Sequence, residues 1–243
     1  MTTHSDPVAR AWFSLGLSFI AGLVDVTTFV TLRGLFSAHV TGNIAVLAAD
    51  IVHGTTVGLL TALAVPIFIG VTFVVTVVHL RLGTDHLKHA AHTLWVQTAL
   101  IAAAGICAVL GDSRGPAIGV IACGIAAITA MALQNAMLHL EYRRVPSTAV
   151  MTGNIVGATV AVAELATGPR EVRGTARAAW RTYWPLLAGF CAGAVVAAMS
   201  AMLPGHWVWA LSTVASLTVA TVMYVRLRSP DLIADQNEGT LAT

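Results

Sequence analysis

The sequence predicts an all-α, polytopic transmembrane helix bundle. Three observations favour this fold: long apolar runs, a low content of charged residues, and a pattern that is written twice. Of the 243 residues, 57% are hydrophobic and only 10% are charged, whereas a soluble domain carries about 25% charged residues. A transmembrane β-barrel would instead show short segments of alternating polarity, which this sequence lacks. The net charge of +2 is too small to indicate nucleic-acid binding.

Six apolar stretches are long enough to cross a bilayer, since a spanning helix needs roughly 17–25 apolar residues. They cover residues 12–32, 55–80, 92–110, 115–140, 182–203 and 206–225. The first stretch is longer than the apolar region of a cleavable signal and contains Asp25, so we expect it to remain as a membrane anchor.

A short polar motif recurs inside two further apolar segments. "SAHVTGNI" at 37–44 aligns without a gap with "TAVMTGNI" at 148–155. We call Thr41-Gly42-Asn43 the first TGN motif and Thr152-Gly153-Asn154 the second. Downstream, "VPIFIG" at 65–70 parallels "WPLLAG" at 184–189. Because repeats determine the architecture, we predict two copies, at about 12–111 and 115–227.

The distribution of basic residues bears on whether the TGN segments cross the membrane. Cytoplasmic loops carry the excess of Lys and Arg. If all eight apolar segments cross, eight basic residues face the cytoplasm and five face out. If each TGN segment enters and returns on the same side, only Arg33 and Arg114 remain outside. Three spans per copy would make an inverted repeat, common in transporters and channels; the alternative, eight crossing segments, would make parallel repeats.

Each TGN motif is typical of a turn that begins a helix. Thr and Asn are good N-cap residues, and Gly permits a sharp turn. Helix N-termini attract anionic or electron-rich groups, and irregular backbone inside a membrane must be buried in protein or line a cavity. We therefore predict a midplane solute site that includes both motifs and the two amides Gln134 and Asn135; the residues are Thr41, Gly42, Asn43, Thr152, Gly153, Asn154, Gln134 and Asn135. Alternatively, the motifs only pack helices.

Asp25 is the most informative single residue. An acid inside a span costs about 2.5–3.5 kcal/mol on insertion scales, and such residues usually mark ion or proton paths. The sequence predicts proton or ion coupling by Asp25 and His39, the latter just before the first TGN motif. The alternative is a structural hydrogen bond to a neighbouring helix or to Arg33.

The sequence gives little support for a metal site, a disulfide or an enzyme active site. The histidines of "DHLKHAAH" at 85–92 are poor support for a metal site, and we expect no metal and no cofactor. Cys107, Cys123 and Cys191 lie inside apolar spans and favour packing. The sequence shows no hydrolase, metalloprotease or nucleotide-binding motif, so we expect that the protein is not an enzyme.

The motifs resemble those of a known family. "AGLVDVTTFVTLRGLFSAHVTGNIAVLA" at 21–48 and "ALQNAMLHLEYRRVPSTAVMTGNI" at 132–155 are similar to the YoaK-like family of bacterial integral membrane proteins. The shared features are the Gly-x-x-Asp span, the His-x-Thr-Gly-Asn and Met-Thr-Gly-Asn motifs, and the Gln-Asn-Ala span. The resemblance implies a bacterial inner or plasma membrane protein and supplies no substrate.

Together these features predict one transmembrane domain over 1–228 and a disordered tail over 229–243. Both termini are expected in the cytoplasm. The leading hypothesis is a secondary transporter or channel, with the lipid bilayer, a small polar or anionic solute and a proton or cation as partners; a homo-oligomer is compatible. The alternative is a non-transporting membrane scaffold or sensor.

Overall fold

Eight α-helices make up the computed structural model, which describes residues 7–54, 58–82, 86–114, 116–142, 145–203 and 205–227; within them it contains no strand. The helices are α1 (Pro7–Thr31), α2 (Val40–His53), α3 (Leu59–Leu82), α4 (His86–Arg114), α5 (Pro116–Glu141), α6 (Met151–Thr167), α7 (Arg170–Ala201) and α8 (Trp207–Leu227). The all-α prediction is confirmed. The predicted tail at 229–243 lies outside the described residues.

Six of these helices are long and apolar enough to cross a membrane: α1, α3, α4, α5, α7 and α8. They coincide with the six predicted stretches. α7 differs in extent, because the helix begins at Arg170 rather than at the predicted 182. Its 32 residues rise about 48 Å, longer than a hydrocarbon core of about 30 Å. The basic stripe of Arg170, Arg173, Arg177 and Arg181 therefore forms exposed turns of this helix.

The two TGN segments form shorter helices, α2 and α6. α2 has 14 residues and α6 has 17, so they rise about 21 Å and about 25 Å. α2 packs mainly on α3, and α6 packs mainly on α7. Both lengths are below the thickness of a hydrocarbon core of about 30 Å.

α1 lies at the centre of the bundle and packs most extensively against α7. Ile20, Leu23 and Val24 are fully buried in the main core with residues of α4, α5 and α8. The α1–α7 crossing is close because glycines on both helices face backbone. A Cβ on Gly22 would collide with the Phe190 carbonyl oxygen, and a Cβ on Gly193 would collide with that of Phe19.

The outer surface of the bundle is apolar. Val52, Ile118 and Met202 are more than 80% exposed, and exposed apolar side chains continue along α3 and α8. A water-soluble monomer rarely exposes such large contiguous apolar patches, whereas lipid tails solvate them well. The surface therefore agrees with the membrane-protein class that composition predicts.

The α1–α7 crossing gives a stability test. Gly22→Ala forces the new methyl group onto the Phe190 carbonyl and should destabilise the detergent-solubilised protein by about 1–3 kcal/mol, the usual cost of overpacking. The matched control is Gly70→Ala in α3, where a Cβ meets no atom within 4 Å. Thermal unfolding of both variants checks the prediction. Equal stability of the two variants would contradict the close crossing.

Candidate functional site

The first TGN motif lies in the first turn of α2. The helix begins at Val40, and its N-cap residue is His39, whose side chain makes no capping hydrogen bond. The Asn43 side chain instead reaches back seven residues: its Oδ1 accepts a hydrogen bond from the Phe36 amide at 2.9 Å, and its Nδ2 donates to the Phe36 carbonyl at 2.7 Å. Asn43 is fully buried and so holds the loop between α1 and α2.

Asp25 fixes the same loop from α1. Its Oδ1 accepts hydrogen bonds from the backbone amides of Ala38 at 2.7 Å and His39 at 3.3 Å. Its Oδ2 lies 2.8 Å from His39 Nδ1. The Asp25 side chain is 2% exposed and that of His39 is 24% exposed. The structure thus joins the two residues predicted for coupling into one pair, with only His39 reaching the protein surface.

The His39 ring also contacts α7. Its centroid lies 5.0 Å from that of the Phe190 ring, in an edge-on arrangement. Phe190 supplies the carbonyl that faces Gly22 at the α1–α7 crossing. The Asp25–His39 pair therefore lies beside the closest helix contact of the bundle.

The second TGN motif is arranged in a similar way. α6 begins at Met151, and its N-cap residue Val150 has no side-chain hydrogen bond to offer. Asn154 Nδ2 donates to the Ser147 carbonyl, again seven residues back, at 3.0 Å. Thr and Asn therefore do not cap either helix, and that expectation is wrong: the asparagines of both motifs bind the preceding loop instead.

Gln134 and Asn135 of α5 hold the loop before α6. Gln134 Nε2 donates to the Leu17 carbonyl and to Thr148 Oγ1, both at 3.0 Å, and Gln134 Oε1 accepts a hydrogen bond from Gln97. Asn135 Oδ1 accepts a hydrogen bond from the Ser147 hydroxyl at 2.8 Å. These neutral amides serve the second loop much as the Asp25 carboxylate serves the first.

The remaining TGN residues face elsewhere. Thr41, Thr152 and Gly153 are exposed, and Gly42 packs against the Phe36 ring. The structure therefore gathers the asparagines and amides around two loops and leaves both threonines on the outside of the helices.

A cavity of about 440 Å³ lies between α3, α5 and the loop before α6. This volume is within the range of roughly 300–1,000 Å³ that is typical of small-molecule sites. Its walls combine apolar groups with hydrogen-bonding ones, namely Phe68, Thr72, Thr76, Asn135, Ala136, Leu138, His139, Leu140, Val145 and Ser147. Asn135 is the one residue of the predicted solute site among them.

Four polar residues of the cavity wall were not predicted from the sequence: Thr72, Thr76, His139 and Ser147. A weak signal was present, because Thr72 and Thr76 are one helical turn apart and place two hydroxyl groups on one face of an otherwise apolar span. Threonine is common in transmembrane helices, since its hydroxyl can bond to a carbonyl of its own helix, as Thr76 does to Thr72. The spacing of Thr72 and Thr76 therefore does not by itself predict a cavity wall; the packing of α5 against α3 is needed as well.

Comparison with known protein families identifies the family of this chain. The family described as "Protein of unknown function (DUF1275)" matches residues 13–224. The chain belongs to this family. The match covers all eight helices except the start of α1 and the end of α8. The resemblance to the YoaK-like membrane proteins is compatible with this family. No curated protein and no solved structure matches the chain.

The Asn43 contact gives a second stability test. Asn43→Ala leaves the part-buried Phe36 amide and carbonyl without their partner, at a cost of up to about 1–3 kcal/mol for each unsatisfied group. Thr41→Ala, two residues away on the exposed side of the same turn, should change stability little. Thermal unfolding of the two purified variants checks the difference. If both variants unfold at the temperature of the parent protein, the loop does not depend on Asn43.

Proposed function

We propose that the protein is a secondary transporter or channel for a small polar or anionic solute. The observation that carries this proposal is the cavity between α3 and α5, which combines hydroxyl, amide and imidazole groups inside a chain with six spanning helices. In a bilayer, polar groups at depth are expensive unless they are paired or line a wet path. The cavity walls offer such a path.

The chemistry of the cavity walls favours a solute that can both donate and accept hydrogen bonds. Thr72, Thr76, Asn135 and Ser147 carry no formal charge and can both donate and accept. Phe68, Leu138 and the other apolar residues would cover the less polar part of a solute. The loop at Ser147 leads directly into α6, whose N-terminal end carries partial positive charge. This supports an electron-rich or anionic group as the part of the solute nearest Ser147.

We infer that the chain is an inverted repeat in which α1–α4 correspond to α5–α8. The helix contacts support this assignment. α1 packs on α7 and, correspondingly, α5 packs on α3; α4 packs on α5, and α8 packs on α1. α2 with α3 and α6 with α7 form a third corresponding pair. Both TGN asparagines bind a backbone group seven residues upstream. Three spans per copy then give the copies opposite orientations.

Under this assignment, the two corresponding crossings differ in closeness. The α1–α7 crossing is closed by glycine–backbone contacts, whereas the corresponding α3–α5 crossing encloses the cavity. Alternating access in inverted repeats proceeds by exchanging the conformations of the two halves. We therefore propose that this conformation is open on the α3–α5 side, and that transport requires the α1–α7 side to open in turn.

The proposal also includes the location of the protein in the bacterial cell membrane and its orientation there. With eleven of the thirteen basic residues in the cytoplasm, both termini and the C-terminal end of α5 face the cytoplasm of a bacterial cell. The cavity, which includes His139 and Val145 near that end, would then open inward. We therefore propose a solute site beside the second TGN motif, in place of the site between the two TGN turns that the sequence predicts.

Asp25 and His39 are the groups we propose for proton or cation coupling. Asp25 is a buried carboxyl group, and His39 connects it to the surface. Their contacts lie next to the α1–α7 crossing, which has to open. A change of protonation in the pair would alter hydrogen bonds that hold the α1–α2 loop, and this links the proton to the conformational step.

A second candidate function is a membrane scaffold or sensor without transport. One observation favours it: Asn43, Asn154 and Gln134 all have protein hydrogen-bond partners, so these amides are explained by structure alone. We propose no catalytic role for the protein. Solute flux distinguishes the two candidates directly.

Flux into proteoliposomes tests the proposal with variants that act differently. Ala136→Leu adds apolar volume at a buried residue of the cavity wall and should abolish uptake of the transported solute. Thermal unfolding of the purified variant checks that the fold is retained. Asp25→Asn keeps an acceptor for the Ala38 amide and removes the charge, whose hydrogen bonds are worth about 1.5–3 kcal/mol each. It should lower uptake driven by a pH gradient about tenfold or more.

The experiment uses a panel of amino acids, sugars, organic acids and inorganic anions. Glu164→Gln, which removes an exposed acid on α6, is the charge control and should transport normally. Uptake no higher than in protein-free liposomes across the panel would remove support for transport and favour the scaffold. Normal uptake by Ala136→Leu would show that the solute uses another path.

A further inference from the structure

Three potential metal ligands meet at the end of the bundle where α3 and α5 end and α4 begins. His79 lies in the last turn of α3, His89 in the first turn of α4, and Glu141 is the last residue of α5. His79 Nδ1 and His89 Nδ1 each lie 2.9 Å from the same Glu141 carboxylate oxygen. The three donor atoms all lie within 4.8 Å of one another.

The position of the cluster is shielded from solvent. The Glu141 side chain is 1% exposed, and those of His79 and His89 are 15% and 12% exposed. A buried carboxylate is costly unless a positive group compensates it. Two helix C-termini, those of α3 and α5, also bring partial negative charge to this place, against one N-terminus from α4. The electrostatics therefore favour a cation.

We propose that His79, His89 and Glu141 bind a divalent transition-metal ion of the Zn²⁺ type. Two imidazole nitrogens and one carboxylate oxygen form a donor set that suits Zn²⁺ and related ions better than Mg²⁺ or Ca²⁺. Ligands at about 2.0–2.2 Å from a metal, at angles between octahedral and tetrahedral, lie about 2.8–3.6 Å apart. The two nitrogen–oxygen separations of 2.9 Å lie within this range.

The site would connect helices at the rim of the cavity. Thr76 on α3 and His139 on α5 line the cavity, and each is within one helical turn of a ligand. A bound ion would join the ends of α3, α4 and α5 and fix the spacing of two cavity walls. The metal proposal rests on the three side chains alone and holds whether or not the cavity transports a solute. It replaces the sequence-based expectation of no metal, which considered only the histidines at 86–92.

Metal binding is tested on the purified full-length chain without a histidine tag. The protein is treated with chelator and equilibrated with Zn²⁺ or Mg²⁺ by dialysis, and bound metal is measured by elemental analysis. We expect about one Zn²⁺ per chain and no Mg²⁺ retention. His79→Ala, His89→Ala and Glu141→Gln should each weaken Zn²⁺ binding by at least about tenfold, since even the partners of metal ligands contribute 10–100-fold.

His92→Ala is the matched control, because His92 is an exposed histidine one turn along α4 from His89. It should bind Zn²⁺ as the parent does. If an alanine variant does not remain monodisperse, Glu141→Gln decides, since it keeps the size of the side chain and one acceptor oxygen. Absence of Zn²⁺ binding, or equal weakening by His92→Ala, would overturn the proposal and leave a hydrogen-bonded His–Glu–His cluster.

Discussion

The two loops that precede α2 and α6 are the constraint on which the rest of the structure depends. Backbone groups that leave a helix and are shielded from water must find hydrogen-bond partners within the protein. Asn43 and Asn154 provide them at corresponding positions, each bonding to a backbone group seven residues upstream. Asp25 supports the first loop, and Gln134 and Asn135 support the second.

These anchored loops connect local sequence to the arrangement of the helices. A fixed loop determines where α2 and α6 begin, and hence where they pack on α3 and α7. The residues that hold the loops also contact other helices. His39, which is paired with Asp25 of α1, packs on Phe190 of α7. Gln134 of α5 accepts a hydrogen bond from Gln97 of α4. The cavity lies beside the second loop, so its shape depends on the Asn135–Ser147 contact.

The sequence predicted the spans well because apolar length is a strong signal. It also selected both Asp25 and His39 for coupling, but their contact was not predicted, because it forms only when the α1–α2 loop folds back on α1. It failed at the details of the TGN turns, because capping propensity is local and the asparagine partners are set by the loop. His79, His89 and Glu141 are distant in sequence and meet only through the packing of α3, α4 and α5, which no single-sequence pattern encodes.

The central claim is that the cavity between α3 and α5 is wet and opens to the cytoplasm. Thr76→Cys, in a chain lacking Cys107, Cys123 and Cys191, tests it by labelling with a membrane-impermeant thiol reagent. Thr218→Cys on the exposed face of α8 is the comparison, because both hydroxyls bond to the carbonyl four residues earlier. Faster labelling of Thr76→Cys in inside-out vesicles is expected. Labelling no faster than that of Thr218→Cys, or only in right-side-out vesicles, would contradict the account.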